Sequence, residues 1–262
     1  MLRSLYTAAT GMEAEQLKMD TIANNLANVN TTGFKRTRAE FQDLLSETIV
    51  QATPAGPNGG GQPAPLQVGL GVRTGTTTRS TAQGDMLTTQ NPYDVAIGGV
   101  GYFRIQRANG DIAFTRAGNF RVDETGRLVT QNGEVVDPGI TIPTGTMGDP
   151  VIKADGTVSV TLAGQTNPQE LGQIELTTFT NPGALQAIGN NLFQPTAASG
   201  QEIRQKPGEQ GMGALQQGAL ESGNVKAVEE MIDMITTQRS YEMNSKVITT
   251  ADQMLQKLTS LR

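Results

Sequence analysis

With 262 residues, 36% of them hydrophobic, and with four Tyr, seven Phe and no Trp, the chain suits one large domain or two smaller ones around a modest core. Neither Cys nor His occurs, which removes disulfides, thiolate nucleophiles, His-based triads and the commonest zinc ligand. The net charge is −5; residues 1–33 carry two bases and three acids and residues 224–262 five of each, so no basic patch suggests nucleic acid.

Residues 2–29 predict a long amphipathic helix. Leu2, Leu5, Ala9, Met12, Gln16, Met19, Ala23 and Leu26 alternate at three- and four-residue spacing, a seam repeating every 3.5 residues, and Ile22 and Val29 widen it. Such a helix is about 42 Å long at 1.5 Å per residue. Asn24, Asn25, Asn28 and Asn30 then lower helix propensity, and Gly33 suits a left-handed stop. The opening residues lack the uninterrupted apolar run of a cleavable secretory signal, and no segment approaches the length of a membrane span. The chain is therefore expected in the cytosol, or outside it by a route that reads an uncleaved N-terminus, without insertion in a membrane.

Residues 53–65, TPAGPNGGGQPAP, cannot form helix or central strand and predict a linker or an extended arm. From residue 93 onward the pattern is strand and turn. Hairpins are expected around Asn109-Gly110, from Asp123 to Gly126, at Asn132-Gly133 and around Asp155-Gly156, with QIELTTF as a further strand. Spacing of 8–12 residues suggests an antiparallel sheet folded on itself.

A second helix is expected from about Asn224, a reasonable N-cap, with Glu229 and Glu230 early. Val228, Ile232 and Ile235 form one stripe, and Met231, Met234, Tyr241, Ile248 and Leu255 a neighbouring one. Val247, Ala251, Met254, Leu258 and Leu261 continue the pattern. The combined stripe is too wide for a single two-stranded partner. At about 55 Å this helix exceeds the first, which favours packing among several copies over a helical hairpin within one subunit.

Little else points to chemistry. Gly98, Gly99 and Gly101 precede a strand rather than a helix, so they read as a bulge or close backbone approach, not a dinucleotide loop. Asp123, Glu124, Glu229, Glu230 and Asp233 read as solvated turn and helix faces, and Asp149 and Asp155 lack calcium-loop spacing. Asn30-Thr31-Thr32 fits the glycosylation tripeptide but sits at a helix stop, and the methionines on the stripes read as adaptable packing. No enzyme activity, cofactor or metal site is expected.

The segment IANNLANVNTTGFKR at 22–36 closely resembles the N-terminal signature of bacterial flagellar rod and hook proteins, and MIDMITTQRSYEMNSKVITTADQMLQKL at 231–258 resembles the matching C-terminal end. LQVGLGVR, DVAIGGVGYFRI, FTRAGNF and IELTTF look like distal rod proteins of that family. The resemblance implies an α+β fold in three parts. Residues 1–33 and 224–262 form a discontinuous helical assembly domain, 34–70 an extended Gly/Pro-containing arm, and 71–223 a β-rich outer domain. It implies a helical homopolymer that transmits motor torque to the hook. Other rod proteins, the hook protein, the P and L rings and the flagellar type III export apparatus would be its partners. On that reading the subunit interface comprises Leu2, Leu5, Met12, Met19, Ile22, Asn24, Asn25, Leu26 and Asn28. From the second helix it takes Val228, Ile232, Ile235, Tyr241, Ile248, Met254, Leu255 and Leu258. Both ends are expected to order as they dock. The rival readings are a hook or proximal rod protein, a β-rich adhesin and a polysaccharide-acting enzyme.

Overall fold

The computed structural model describes residues 2–52, 64–143, 145–146, 148–163 and 167–260; most of the Gly/Pro-rich stretch, 53–63, lies outside the described residues. Two long terminal helices bracket a β-rich middle, the α+β class the sequence predicts. The chain divides into two units, one of residues 1–26, 37–78 and 226–262, the other of 27–36 and 79–225.

The first unit holds α1 (Leu2–Ala27), β1 (Thr37–Asp43), β2 (Glu47–Val50), β3 (Leu66–Val68), β4 (Val72–Arg79) and α2 (Ala227–Ser260). Residues 37–78 form two small ribbons, β1 with β4 and β2 with β3, and meet α1 where the Val72 N–H donates to the Thr10 hydroxyl at 3.4 Å. Gly71 lies against α1, where a Cβ would meet the Thr10 hydroxyl at 2.4 Å. The 34 residues of α2 contain neither Gly nor Pro, and Glu229 and Glu230 in its first turn and Lys257 in its last complement the helix dipole. That helix starts at Ala227, so Asn224 does not begin it. α1 stops at Ala27, where the Thr31 N–H closes a turn on the Asn28 carbonyl at 3.0 Å.

The second unit contains β5 (Met86–Thr88), β6 (Val95–Gly98), β7 (Tyr102–Gln106), β8 (Ile112–Thr115), β9 (Arg121–Val122), β10 (Leu128–Val129), β11 (Val135–Val136), β12 (Val151–Ile152), β13 (Thr157–Val160), β14 (Gln169–Gln173), β15 (Leu176–Phe179), β16 (Gln186–Gly189), β17 (Leu192–Gln194), β18 (Glu202–Gln205), β19 (Ala214–Gln217) and β20 (Ala219–Glu221). A nine-stranded sheet runs β16-β17-β8-β7-β11-β10-β9, with β15 pairing both β7 and β18. β12-β13-β14 form a second sheet, and β19-β6 and β20-β5 two ribbons. Each predicted turn is a hairpin: Gly110 joins β7 to β8, Gly126 β9 to β10, Gly133 β10 to β11, and Gly156 β12 to β13, all four at positive φ. At the second of these, a hydrogen bond from the Thr125 hydroxyl, aided by the Arg127 and Thr125 backbone N–H groups, holds the Asp123 carboxyl down at about 2.

The core lies in this unit. Val95, Ile97, Phe103, Ile105, Phe120, Ile174 and Leu176 fill one cluster, and Tyr102, Phe114, Phe179 and Phe193 gather in another. Phe103 meets Phe120 edge-on with ring centroids 5.0 Å apart, and Phe114 meets Phe179 at 4.8 Å, arrangements aromatic quadrupoles favour.

Candidate functional site: the outward faces of the terminal helices

α1 and α2 touch along a narrow face. Asn25 Nδ2 donates to Glu230 Oε2 at 3.1 Å, and a Cβ added at Gly11 would lie 3.0 Å from Asn244 Nδ2. These contact points are equally spaced on both helices and in reverse order, so the helices run antiparallel in constant register. The inner face of α2 repeats every seven residues as Glu230, Thr237, Asn244 and Ala251, all buried or half-buried. On α1 the matching positions are Ala8 and Ile22, with Gly11 and Asn25 beside them. The intramolecular helical hairpin, against which the length mismatch argued, is thus present. Small and polar side chains suffice for close approach, and α2 simply continues past the start of α1.

This seam is not the one the apolar pattern picks out. Ile22 and Asn25 are buried in it, but Leu5, Met12, Met19 and Leu26 are half-buried and flank it, and Asn24 is exposed. Asn25 also ties α1 to β1. Its Oδ1 accepts the Thr37 N–H at 3.0 Å and its Nδ2 donates to the Thr37 carbonyl at 2.8 Å, as a strand partner would. Asn28 falls in the second unit, where its Oδ1 accepts the Thr31 hydroxyl at 3.2 Å.

The large apolar residues of α2 point elsewhere. Val228 is 66% exposed, Ile232 56% and Ile235 51%, and Met231, Tyr241, Met243, Val247 and Met254 are also exposed. At 100° per residue, Val228, Ile232 and Ile235 lie roughly opposite Glu230 and Thr237. Ile248 and Leu255 are half-buried. Leu2 and Leu258 sit on α1 and α2, with their side chains outside the described residues. The predicted residues therefore separate into an inner pair, Ile22 and Asn25, a half-covered border, and an open apolar face on α2.

One cluster escaped sequence reasoning. In the second unit Glu221 is fully buried between Lys35 and Arg116: Lys35 Nζ donates to Oε1 and Arg116 Nε to Oε2, each at 2.6 Å. Arg116 also donates to the carbonyls of Gly99 at 2.6 Å and Gly101 at 2.8 Å. The glycine cluster thus serves close backbone approach; Gly99 and Gly101 have φ of 138° and 142°. Burial alone would raise the Glu221 carboxyl, but the Arg116 charge and hydrogen bonds from Lys35, Arg116 and the Gly84 N–H outweigh it and hold the group below its ordinary range. Burial dominates at Lys35, whose ammonium is pushed down despite its carboxylate partner. Three charges far apart in sequence carry no local signal of this kind.

Among the described residues no group of three or more acids is placed to hold a metal ion, and no helix is long and apolar enough to cross a membrane. Three family models match along the chain: flagella basal body rod protein at 5–35, flagellar hook protein FlgE/F/G D1 domain at 96–160, and flagellar basal body rod FlgEFG protein C-terminal at 216–261. The flagellar basal-body rod protein FlgG of Caulobacter vibrioides is 51% identical over 262 residues, spanning the whole of both chains. The chain belongs to the FlgG family. Members from Borreliella burgdorferi, 50% identical over 257 residues and 97% of each chain, and Bacillus subtilis, 44% identical over 267 residues and all of each chain, carry the same name. FlgG proteins are structural parts of the flagellar basal body, so the adhesin and enzyme readings fall away. The two terminal models span most of α1 and α2 and also include Lys35 and Glu221 of the buried cluster.

Proposed function

We propose that this FlgG-family chain polymerises into the distal rod, with the open face of α2 and the half-buried border of α1 docking on neighbouring copies to build a helical tube that carries torque to the hook. The interface is the set Leu2, Leu5, Met12, Met19, Asn24, Leu26, Val228, Ile232, Ile235, Tyr241, Ile248, Met254, Leu255 and Leu258, while Ile22, Asn25 and Asn28 are engaged within the chain. Its energetic centre is the outward stripe. One observation carries this reading: α2 gives its small and polar residues to its own α1 and leaves most of its Ile, Val and Met residues exposed.

The magnitudes favour many contacts over one. Completing the burial of a half-exposed Ile or Met returns about 1 kcal/mol, half of the usual full-burial value. The eight exposed apolar residues of α2 return about 6–12 kcal/mol, comparable with the ~4–15 kcal/mol of rigid-body freedom lost on association. A lone pair of subunits therefore barely associates, whereas a subunit entering a growing helical end touches several neighbours at once. The hairpin register found in the single chain gives the incoming subunit a prepared apolar face. On this reading the rod contacts other rod proteins, the hook protein and the P and L rings, and the subunit leaves through the type III export apparatus without a cleaved signal.

The test is to replace Ile232 and Ile235 together by Asp. Both are exposed, so the monomer should keep its melting temperature, while electron microscopy of cells carrying the variant should find no distal rods. Rods of normal number and length would refute the docking face.

A further inference from the structure

The chain passes between its two units at 26/27, 36/37, 78/79 and 225/226. Within the second unit the short segment 221–224, which leads into the passage at 225/226, bonds to residues 33–36 before 36/37 and to residues 80–85 after 78/79, and packs on residues 28–31 after 26/27. The Glu221 carbonyl accepts the Gly33 N–H at 2.8 Å, and its carboxylate takes Lys35 at 2.6 Å and the Gly84 N–H at 2.8 Å. The Ser222 N–H donates to the Asp85 carbonyl at 2.8 Å. Asn224 Oδ1 accepts the Arg36 N–H at 2.6 Å, its own N–H donates to the Phe34 carbonyl at 3.3 Å, and its Nδ2 donates to the Ala82 carbonyl at 2.8 Å and reaches the Ser80 hydroxyl at 3.3 Å. The Ser80 N–H in turn donates to the Arg36 carbonyl at 2.8 Å.

Three glycines make room for this crowding. A Cβ at Gly84 would sit 2.0 Å from the Ser222 carbonyl oxygen, one at Gly33 2.8 Å from the Ala117 nitrogen, and one at Gly223 3.1 Å from the Val29 carbonyl oxygen. Gly33 also needs its φ of +69°. Beneath the backbone, Lys35, Glu221 and Arg116 close the knot, and Arg116 extends it to Gly99 and Gly101.

We infer that residues 221–224 form a clasp joining segments 33–36 and 80–85, with Asn224 and Glu221 as positioning residues, through which force on the terminal helices enters the β unit as one block. The inference rests on the rod reading for the force and on the geometry above for the clasp. Bonds to separate passages act in parallel, so load on one strand is shared before any single hairpin of the sheet is pulled open. Had the passages been bonded singly, load on one would peel its own strand.

Hydrogen exchange on the full-length purified chain tests the clasp without reference to rods. In Asn224→Ala the Arg36 amide, which loses its acceptor, should exchange about tenfold faster, the effect of one lost hydrogen bond, while the Phe103 and Ile105 amides in β7 stay protected. Asn224→Asp keeps the acceptor for Arg36, so protection there should return. Unchanged exchange at Arg36 in the alanine variant would overturn the clasp, as would loss of protection throughout β7 and β8. In motile cells, Asn224→Ala should form rods at the parental number yet lose rotation under high viscous load; parental torque at every load would overturn the force path. Failure of the rod reading itself would show in the Ile232 and Ile235 variant and would leave the exchange pattern untouched.

Discussion

In the β unit Phe103, Phe114, Phe120, Ile97, Ile105, Ile174 and Leu176 are all essentially inaccessible to water. In the helix unit the buried apolar residues, among those described, are Ala8, Ala14, Ala251 and Ile22, while Ile232, Ile235 and Met243 face solvent. The two regions share one chain and opposite hydrophobic logic. A β unit that places its largest side chains inside is complete as a monomer. A helix pair that closes on Ala, Gly, Thr and Asn keeps its largest side chains for a partner. The polar seam then acts as a register device: Asn25 and Glu230 bond at one level and Gly11 and Asn244 pack at another, so the outward face is presented in one alignment.

The contrast predicts unequal responses to truncation. Phe103→Ala should cost the isolated chain about 3–5 kcal/mol, the usual result of emptying a core aromatic site, whereas Ile235→Ala should change monomer stability by less than about 0.5 kcal/mol. Urea denaturation of the full-length monomer, followed by signals from each unit, reads both. Similar losses would mean that Ile235 already has an intramolecular role and would break the comparison.

Acid should separate the units as well. Glu221 has a folded pKa below its ordinary 4.5, so its contribution is complete above about pH 4.5 and is lost as pH falls through the lower folded value. Protonating Glu221 removes the buried carboxylate that Lys35 and Arg116 share. The melting temperature of the β unit should therefore fall below pH 4.5, and Glu221→Gln should lower it at neutral pH and flatten that acid limb. An unchanged acid limb in the variant would place the sensitivity elsewhere.

Much of this architecture was legible because it is local. Asn109-Gly110, Asn132-Gly133 and Asp155-Gly156 mark their turns by the positive φ that Gly supplies, and the helices announce themselves by period. The inner seam was not legible, because a strip of Gly11, Asn25, Glu230, Thr237 and Asn244 has no hydrophobic signature; pattern reading follows the largest apolar residues, which here face outward. Asn224 looked like a cap by type and local position, yet its partners, Arg36 and Ala82, are far away in sequence. Lys35, Arg116 and Glu221 were hidden for the same reason, since each alone resembles an ordinary surface charge.

The smallest effect sharpens the comparison most. Gly11 lies inside α1 with ordinary helical φ, where Ala is favoured over Gly by up to about 1 kcal/mol. The added methyl would meet only the far end of the Asn244 side chain, at 3.0 Å, and a few tenths of an ångström of movement there relieves it. Gly11→Ala should therefore stabilise the helix pair by a fraction of 1 kcal/mol, read as a slightly raised thermal midpoint of the helical circular dichroism signal. If the close approach of the two helices instead depends on the missing side chain, the same change will separate them and lower that midpoint. A rise means that the polar contacts set the register and Gly11 merely leaves room; a fall means that the bare backbone of α1 is itself the surface on which α2 is aligned.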